Sequence, residues 1–290
     1  PLRDVYKRQD WYADETIEVV YDQTIKWFEA YKNHEFERFS DVQNALQCLE
    51  QYPATRSMIV MACYQAFYEL ETFNVPYGAT VSGLTYKHIF NLKDTQPQRV
   101  KIKWSENILE DVIQLKRLPF KSQIVIDANE SVKNSEFEKV MLLSSSEILY
   151  LEEPFKDIQK LKDFKDSELP PIAIDEKAVS LKAILYYVEN YKIEVVVLKP
   201  FRLGGLDKVM EIIEILEQKH VKFVIGGMYE YGLSRYFTAL LARYATYPSD
   251  ITPHGFYFEN DIVAHSGILK RGSIYFEPPF VNKFYLTQIN

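Results

Sequence analysis

A chain of 290 residues, 47% hydrophobic and 26% charged, is long enough for one barrel-sized core of roughly 200–250 residues beside a smaller appendage. Its net charge of −7 and pI near 5.4 leave no basic stripe to displace counterions from a nucleic-acid backbone, which argues against DNA or RNA as a partner. The longest unbroken apolar run, Met58 to Tyr64, is far too short to span a bilayer, so no membrane partner is expected and the cytoplasm is the expected location.

Residues 1–9 have neither helical nor strand period, and Asp4-Val5-Tyr6-Lys7-Arg8-Gln9 resembles the translation of a sequencing-library adaptor. They are expected to be adaptor-derived or disordered and are set outside the fold. From Asp14, a good N-cap, Ile17, Val20 or Tyr21, Thr24 and Phe28 recur at three- and four-residue intervals and predict a helix with one apolar face. A second helix is predicted over 41–51. Pro53 suits the first turn of a third, whose Met58, Ile59, Met61, Ala62, Tyr64, Phe67 and Leu70 are dense enough for a mostly buried helix. Cys48 and Cys63 lack the spacing of a disulfide framework or zinc site and read as small buried apolar residues.

After Pro76 short β-branched runs alternate with helical segments, which predicts repeated βα units around a parallel sheet. Strands are expected at 77–81, 99–103, 124–127, 148–152, 172–175, 195–199 and 222–225, with a weaker eighth at 250–252. Helical stretches at 106–116, 180–191, 206–218 and 234–244 are long enough for right-handed crossovers. Eight such units close a barrel. The expected organisation is thus a capping-domain remnant over 10–75, a (β/α) barrel over 76–254 and a C-terminal segment over 255–290. That segment is rich in Phe, Tyr and Pro and is expected to return to the capping domain.

A charged residue ends each of five consecutive strands: Lys103, Asp127, Glu152, Asp175 and Lys199, at spacings of 24, 25, 23 and 24. One such residue per βα unit places all five on the rim where barrel enzymes build their active sites. Three converging carboxylates would repel one another without a cation, and oxygen ligands suit a hard divalent ion: Mg²⁺, with Mn²⁺ as the alternative. Such an ion makes a proton next to a carboxylate removable by a modest base, and the flanking lysines supply one. Lys101, on the same strand face as Lys103, adds a like charge that pushes the base downward in pKa.

Taken singly, a strand-end Asp is most often a helix cap or turn residue and a strand-end Lys most often solvated, so the register carries the inference. Glu153 and Glu176 adjoin the proposed ligands and read as supporting groups around them. His34, His88, His220, His254 and His265 are not grouped as metal ligands, and only His254 lies near a strand end.

Lys101-Ile102-Lys103, Asp127-Ala128-Asn129, Leu151-Glu152-Glu153-Pro154, Asp175-Glu176-Lys177 and Leu198-Lys199-Pro200 stand in the order and spacing of the muconate-lactonising branch of the enolase superfamily. From Asp10 on, the chain resembles the o-succinylbenzoate synthases of Gram-positive bacteria. Lys199-Pro200-Phe201-Arg202-Leu203-Gly204-Gly205, Gly226-Gly227-Met228-Tyr229-Glu230 and Tyr257-Phe258-Glu259-Asn260-Asp261 add to the likeness.

The resemblance implies an α/β fold, a (β/α)7β-type TIM barrel with a partial, mostly helical α+β capping domain. It implies syn dehydration of 2-succinyl-6-hydroxy-2,4-cyclohexadiene-1-carboxylate to o-succinylbenzoate in menaquinone synthesis. Asp127, Glu152 and Asp175 would hold Mg²⁺, and Lys103 would act as base and then acid. Lys199 would stabilise the anionic intermediate as a cation, while Lys101 would tune its partner and touch the substrate carboxylate. Asn129 and Glu176 would support the metal region. Gly226 and Gly227 would either let backbone N–H groups approach the succinyl carboxylate or form a plain glycine turn, with Met228 beside them. The partner is a small-molecule carboxylate substrate, with homo-oligomerisation left open.

The family's chain begins with antiparallel strands and a mobile loop that nothing before Asp10 resembles. The expectation is therefore a chain that keeps its metal site with weak activity and poor solubility, rescued by restoring the upstream segment. Rival readings are an N-succinylamino-acid racemase or dipeptide epimerase on the same scaffold, a Schiff-base aldolase with Lys199 as nucleophile, and a truncated, inactive barrel.

Overall fold

A computed structural model describes residues 15–264 and 266–282; residues 1–9, the Asp14 cap and His265 lie outside it. By its contacts the chain divides into two units. One holds the described residues up to Glu71 together with Lys199–Ile213, the other Thr72–Leu198 and the described residues from Glu214 on.

The smaller unit is helical. Helix α1 (Ile17–Tyr31) is capped by Thr16, whose Oγ1 accepts from Val19 N at 3.4 Å. Its sheltered face differs from the predicted one: Ile17, Tyr21 and Phe28 are exposed, while Val20, Thr24, Trp27 and Tyr31 are half-buried. Trp27 sets that rotation by donating its indole N–H to Ala45 O at 3.2 Å. Helix α2 (Phe39–Ala45) runs into the 3₁₀ turn Leu46–Leu49. Residues three apart eclipse in such a turn, so Leu46 and Leu49 are buried together and Cys48 is turned out. Cys48 is exposed and Cys63 half-buried, which corrects their reading as buried apolar residues.

Helix α3 (Pro53–Phe67) starts at Pro53 as expected, but only Thr55, Arg56, Ser57, Ile59, Val60 and Met61 are buried, with Met58 and Ala62 exposed. Within that buried stretch Arg56 makes two 2.8 Å bonds to the Asp207 carboxylate and donates to Gly204 O. Gly205, at φ +124, has no room for a side chain, since a Cβ there would come 2.4 Å from Val60 Cγ1.

The larger unit opens with β1 (Phe73–Pro76), followed by seven parallel strands paired in chain order. These are β2 (Gly78–Val81), β3 (Arg99–Lys103), β4 (Gln123–Asp127), β5 (Tyr150–Glu152), β6 (Ile172–Ile174), β7 (Ile193–Leu198) and β8 (Lys222–Ile225). Helices link most neighbours, whereas 3₁₀ turns at Ile158–Asp163 and Asp166–Glu168 make the connection from β5 to β6.

The eighth position is occupied, but as a single parallel bridge, Gly226 to Asp250, rather than a strand. Pro248 and Pro253 bracket it, and proline cannot donate to a ladder. Asp250 N donates to Ile225 O and Gly227 N to Asp250 O, both at 3.0 Å. On the far side Gly78 of β2 stands so close that a Cβ would meet Ser249 O at 2.6 Å, so this segment closes the ring between β8 and β2.

Beyond Gly255, strands β9 (Ile268–Lys270) and β10 (Ser273–Phe276) form a hairpin, and β10 pairs antiparallel with β1. Arg271 and Gly272 both have positive φ, 33° and 74°, the backbone of a two-residue hairpin turn. Val75 and Ile274 are fully buried, and Phe73 stacks on Phe276 with centroids 5.3 Å apart.

Candidate active site

Alternation along the strands builds the site. Val125, Tyr150, Ala173 and Val195, one from each of β4 to β7, form a buried cluster inside the ring. A step of two residues keeps a side chain on the same face, so Asp127, Glu152 and Asp175 follow Val125, Tyr150 and Ala173 toward the carboxyl ends of the strands. All three are buried. Lys101 of β3 reaches Glu152 of β5, with β4 lying between those strands, so the contact crosses the interior.

Lys103 and Asp127 are partners in the β3–β4 register. Lys103 Nζ donates to Asp127 Oδ2 at 2.5 Å and to Asn129 Oδ1 at 2.6 Å. Asn129 N donates to Asp127 Oδ1 at 3.1 Å, and its amide Nδ2 to Glu176 Oε1 at 2.9 Å. Asn129 thereby fixes the lysine, its carboxylate partner and Glu176 relative to one another.

Glu153 lies beneath this rim with 1% exposure. Its Oε2 accepts from the backbone N of Asp175 at 2.9 Å and of Lys177 at 3.2 Å, and its Oε1 accepts from Lys177 Nζ at 2.5 Å. Its role is to hold the chain that carries Asp175. Burial pushes the Glu153 carboxyl up to about 7, against the opposing pull of Lys177. Asn129, Glu130 and Glu153 all adopt positive φ, 42°, 61° and 43°, a conformation unfavourable to non-glycine residues and gathered where two strands end.

The Lys101 ammonium sits among carboxylates: 2.8 Å from Glu152 Oε1, 2.6 Å from Asp250 Oδ2 and 3.9 Å from Asp127 Oδ2. Burial alone would favour its neutral form, but Asp250, Glu152 and Asp127 hold its pKa well above the ordinary lysine value. Its charge is matched by these carboxylates, so it is more than the like-charge neighbour of Lys103 that the sequence suggests. Burial pushes Glu152 up to about 8, with Lys101 opposing and Asp127, Asp175 and Asp250 adding to the rise.

Among the described residues no group of three or more His, Cys, Asp or Glu side chains stands arranged to hold a metal ion. Among the described residues Lys101 and Lys103 place positive charge on Glu152 and Asp127, and Arg99 places it on Asp250. The donor set nevertheless fits a hard cation. It consists of carboxylate oxygens, Asp127 and Asp175 both act electrostatically on Glu152, and Glu152 Oε2 is buried without a hydrogen-bond partner.

Lys199, buried, follows Leu198 at the end of β7 and belongs by its contacts to the smaller unit, where its carbonyl accepts from Arg202 N and Leu203 N at 3.0 Å. The N–H groups of Gly226 and Gly227 are already bonded, to Leu198 O at 2.8 Å and Asp250 O at 3.0 Å. Of the two readings, these bonds match the plain glycine turn, with both N–H groups engaged within the fold. Gly227 is required by close packing, since a Cβ would stand 2.5 Å from Asp250 O. Met228 is half-buried and donates its N–H to Glu230 Oε2 at 3.4 Å. His254 faces Asp261, Nδ1 to Oδ2 3.7 Å. A cavity of about 1160 Å³ opens at the amino ends of the strands, lined by Gln98, Gln123, Leu149 and Lys222; it includes none of the rim residues.

Three residues of the site escape sequence reasoning: Arg99, Tyr150 and Asp250. Arg99 is wholly buried and donates to Tyr150 OH at 2.8 Å, and its other terminal nitrogen is ion-paired with Asp250 Oδ1. Burial would raise the Asp250 carboxyl, yet Arg99 and Lys101 hold it down to about 2. The available signal was parity, because Arg99 stands two residues before Lys101 and Tyr150 two before Glu152.

The family model described as Enolase C-terminal domain-like matches residues 91–278. The chain is 27% identical over 199 residues to the o-succinylbenzoate synthase of Bacillus subtilis, covering 65% of this chain and 53% of that protein. It is 24% identical over 206 residues to the N-succinylamino acid racemase of Thermus thermophilus, covering 66% and 56%. The chain thus spans about half the length of the curated relatives it matches. Its fold is that of a probable mandelate racemase from Alicyclobacillus acidocaldarius, with TM-score 0.77 and 19% identity over 92% of this chain and 78% of that one.

Proposed function

The chain belongs to the enolase C-terminal domain-like family, and from that premise we propose that it is a Mg²⁺-dependent o-succinylbenzoate synthase acting in menaquinone synthesis. The observation that carries this reading is the placement of Lys103 Nζ on Asp127 and Asn129 at the ends of β3 and β4, next to β5 and β6, whose ends carry Glu152 and Asp175. Relatives named o-succinylbenzoate synthase support the choice of reaction.

Asp127, Glu152 and Asp175 are the residues that would hold the ion; when bound, Mg²⁺ supplies the positive charge that makes a proton next to a carboxylate removable by a modest base. Lys103 takes the proton alpha to the carboxylate of 2-succinyl-6-hydroxy-2,4-cyclohexadiene-1-carboxylate. The ring C–O bond then breaks on the same face. The proton just taken leaves with the hydroxide, giving o-succinylbenzoate and one water. Asn129 orients Lys103 through its Oδ1, and Glu153 steadies the backbone of Asp175. The resemblance alone gives Lys199 its role, a cation that stabilises the anionic intermediate.

The test is the loss of cyclohexadiene absorbance with the authentic substrate, with and without Mg²⁺. Metal-dependent loss supports the reading, and a flat trace with metal present sinks it. Relatives named N-succinylamino acid racemase favour racemisation as a second activity. Deuterium exchange from D₂O into an N-succinylamino acid, abolished by Lys199→Ala, would establish it.

A further inference from the structure

Arg99, Asp250, Lys101 and Glu152 form one chain of contacts across the inside of the barrel. The Arg99 guanidinium is fully buried, pairs with Asp250 Oδ1 and bonds Tyr150 OH. Asp250 Oδ2 takes the Lys101 ammonium at 2.6 Å, and the same ammonium reaches Glu152 Oε1 at 2.8 Å. From Asp127 it stands off at 3.9 Å, and Glu152 Oε2 keeps no hydrogen bond. Space for this arrangement is provided by Gly78, where a Cβ would come 2.7 Å from the Arg99 guanidinium and 2.6 Å from Ser249 O. Without the Asp250 carboxylate, Coulomb attraction would draw the Lys101 ammonium onto the remaining anions, Glu152 and Asp127, which are the groups a cation needs.

We propose that Asp250 is a positioning residue of the site: anchored by Arg99, it holds the Lys101 ammonium on one oxygen of Glu152 and away from Asp127, so that both remain able to bind a divalent cation. The inference rests on the reading of Asp127, Glu152 and Asp175 as the ion's ligands and extends it to a residue on the closing segment of the barrel. It differs from a general structural role because the consequence of losing Asp250 depends on Lys101.

The experiment measures Mn²⁺ affinity, from the electron paramagnetic resonance signal of the free ion, for wild type, Asp250→Asn, Lys101→Met and the double variant. Asp250→Asn is expected to bind Mn²⁺ at least about tenfold more weakly. In the Lys101→Met background the same substitution is expected to change affinity by less than about threefold. Equal losses with and without Lys101, or unchanged affinity in Asp250→Asn, overturn the inference and leave the functional reading standing. A wild type that binds no Mn²⁺ overturns both. If Asp250→Asn does not fold, Lys101→Met alone decides. It should bind Mn²⁺ at least as tightly as wild type, and a tenfold loss would make Lys101 a support of the ion site rather than a charge held clear of it.

Discussion

Lys103 and Asp127 face each other across neighbouring parallel strands, and the lysine Nζ lies 2.5 Å from the carboxylate Oδ2. Lys103 is the one of the two β3 lysines that remains partly open, its side chain 25% exposed against 6% for Lys101. A base must reach a substrate, which favours Lys103. Lys103→Ala is expected to lower kcat by about 10²–10⁴ while Mn²⁺ binding persists, read from single-turnover dehydration and metal titration on the same preparation. Turnover near the wild-type rate would remove Lys103 from the chemistry.

Glu152 is the most enclosed of the proposed ligands, with 0% exposure. Glu152→Gln keeps its shape but removes its negative charge, and Mn²⁺ affinity should fall by at least about tenfold. Chelation with EDTA should stop dehydration by the wild type, and added Mg²⁺ should restore it. Activity that persists through exhaustive chelation would exclude the metal-dependent mechanism.

The pair Arg56–Asp207 anchors the smaller unit, both side chains 4% exposed and joined by two 2.8 Å bonds, with Gln43 as a third partner at 3.1 Å. Burial alone would raise the Asp207 carboxyl, but Arg56 holds it below the usual carboxylate range. Arg56→Met leaves that charge buried and uncompensated, so a loss of about 3–5 kcal/mol is expected in urea unfolding of this unit. A change under about 1 kcal/mol would show that Asp207 finds another partner or water.

Glu230 gives a pH dependence of definite sign. Burial raises its carboxyl from 4.5 to about 7, with Thr238, which donates to Oε1 at 2.5 Å, pulling the other way. Between those values the folded chain holds a proton that the unfolded chain has released. This contribution is therefore complete below about pH 4.5 and is lost as pH rises to about 7, on the order of 3 kcal/mol in all. Glu230→Gln should flatten that part of the stability profile and raise stability at pH 8. A wild-type and variant pair with parallel profiles from pH 5 to 8 would rule this out.

Much of the site was legible because its code is local. A strand places every second residue on one face, so a charged residue two steps beyond Val125, Tyr150 or Ala173 can be located from the chain alone. Spacings of 23 to 25 residues mark one βα unit each, and the strands ending in Lys103, Asp127 and Glu152 lie where the alternation puts them. The eighth strand was harder to read, because its neighbouring prolines reduce it to one bridge.

What only the tertiary structure decided are the pairings between residues far apart in the chain. Arg99 and Asp250 are separated by 151 positions and meet because the ring closes through the segment beside Gly78. That closure selects which lysine is bound by carboxylates on several sides and which stays accessible, a choice that two lysines in Lys101-Ile102-Lys103 do not reveal. The inner face of α1 and the outward turn of Cys48 were likewise decided by packing, through the Trp27 bond to Ala45 and the eclipsed Leu46 and Leu49. Periodicity is a property of consecutive residues and is written in the sequence. The partner of a buried charge is selected by desolvation and Coulomb energy among whatever groups the fold brings within reach, and those depend on the whole ring.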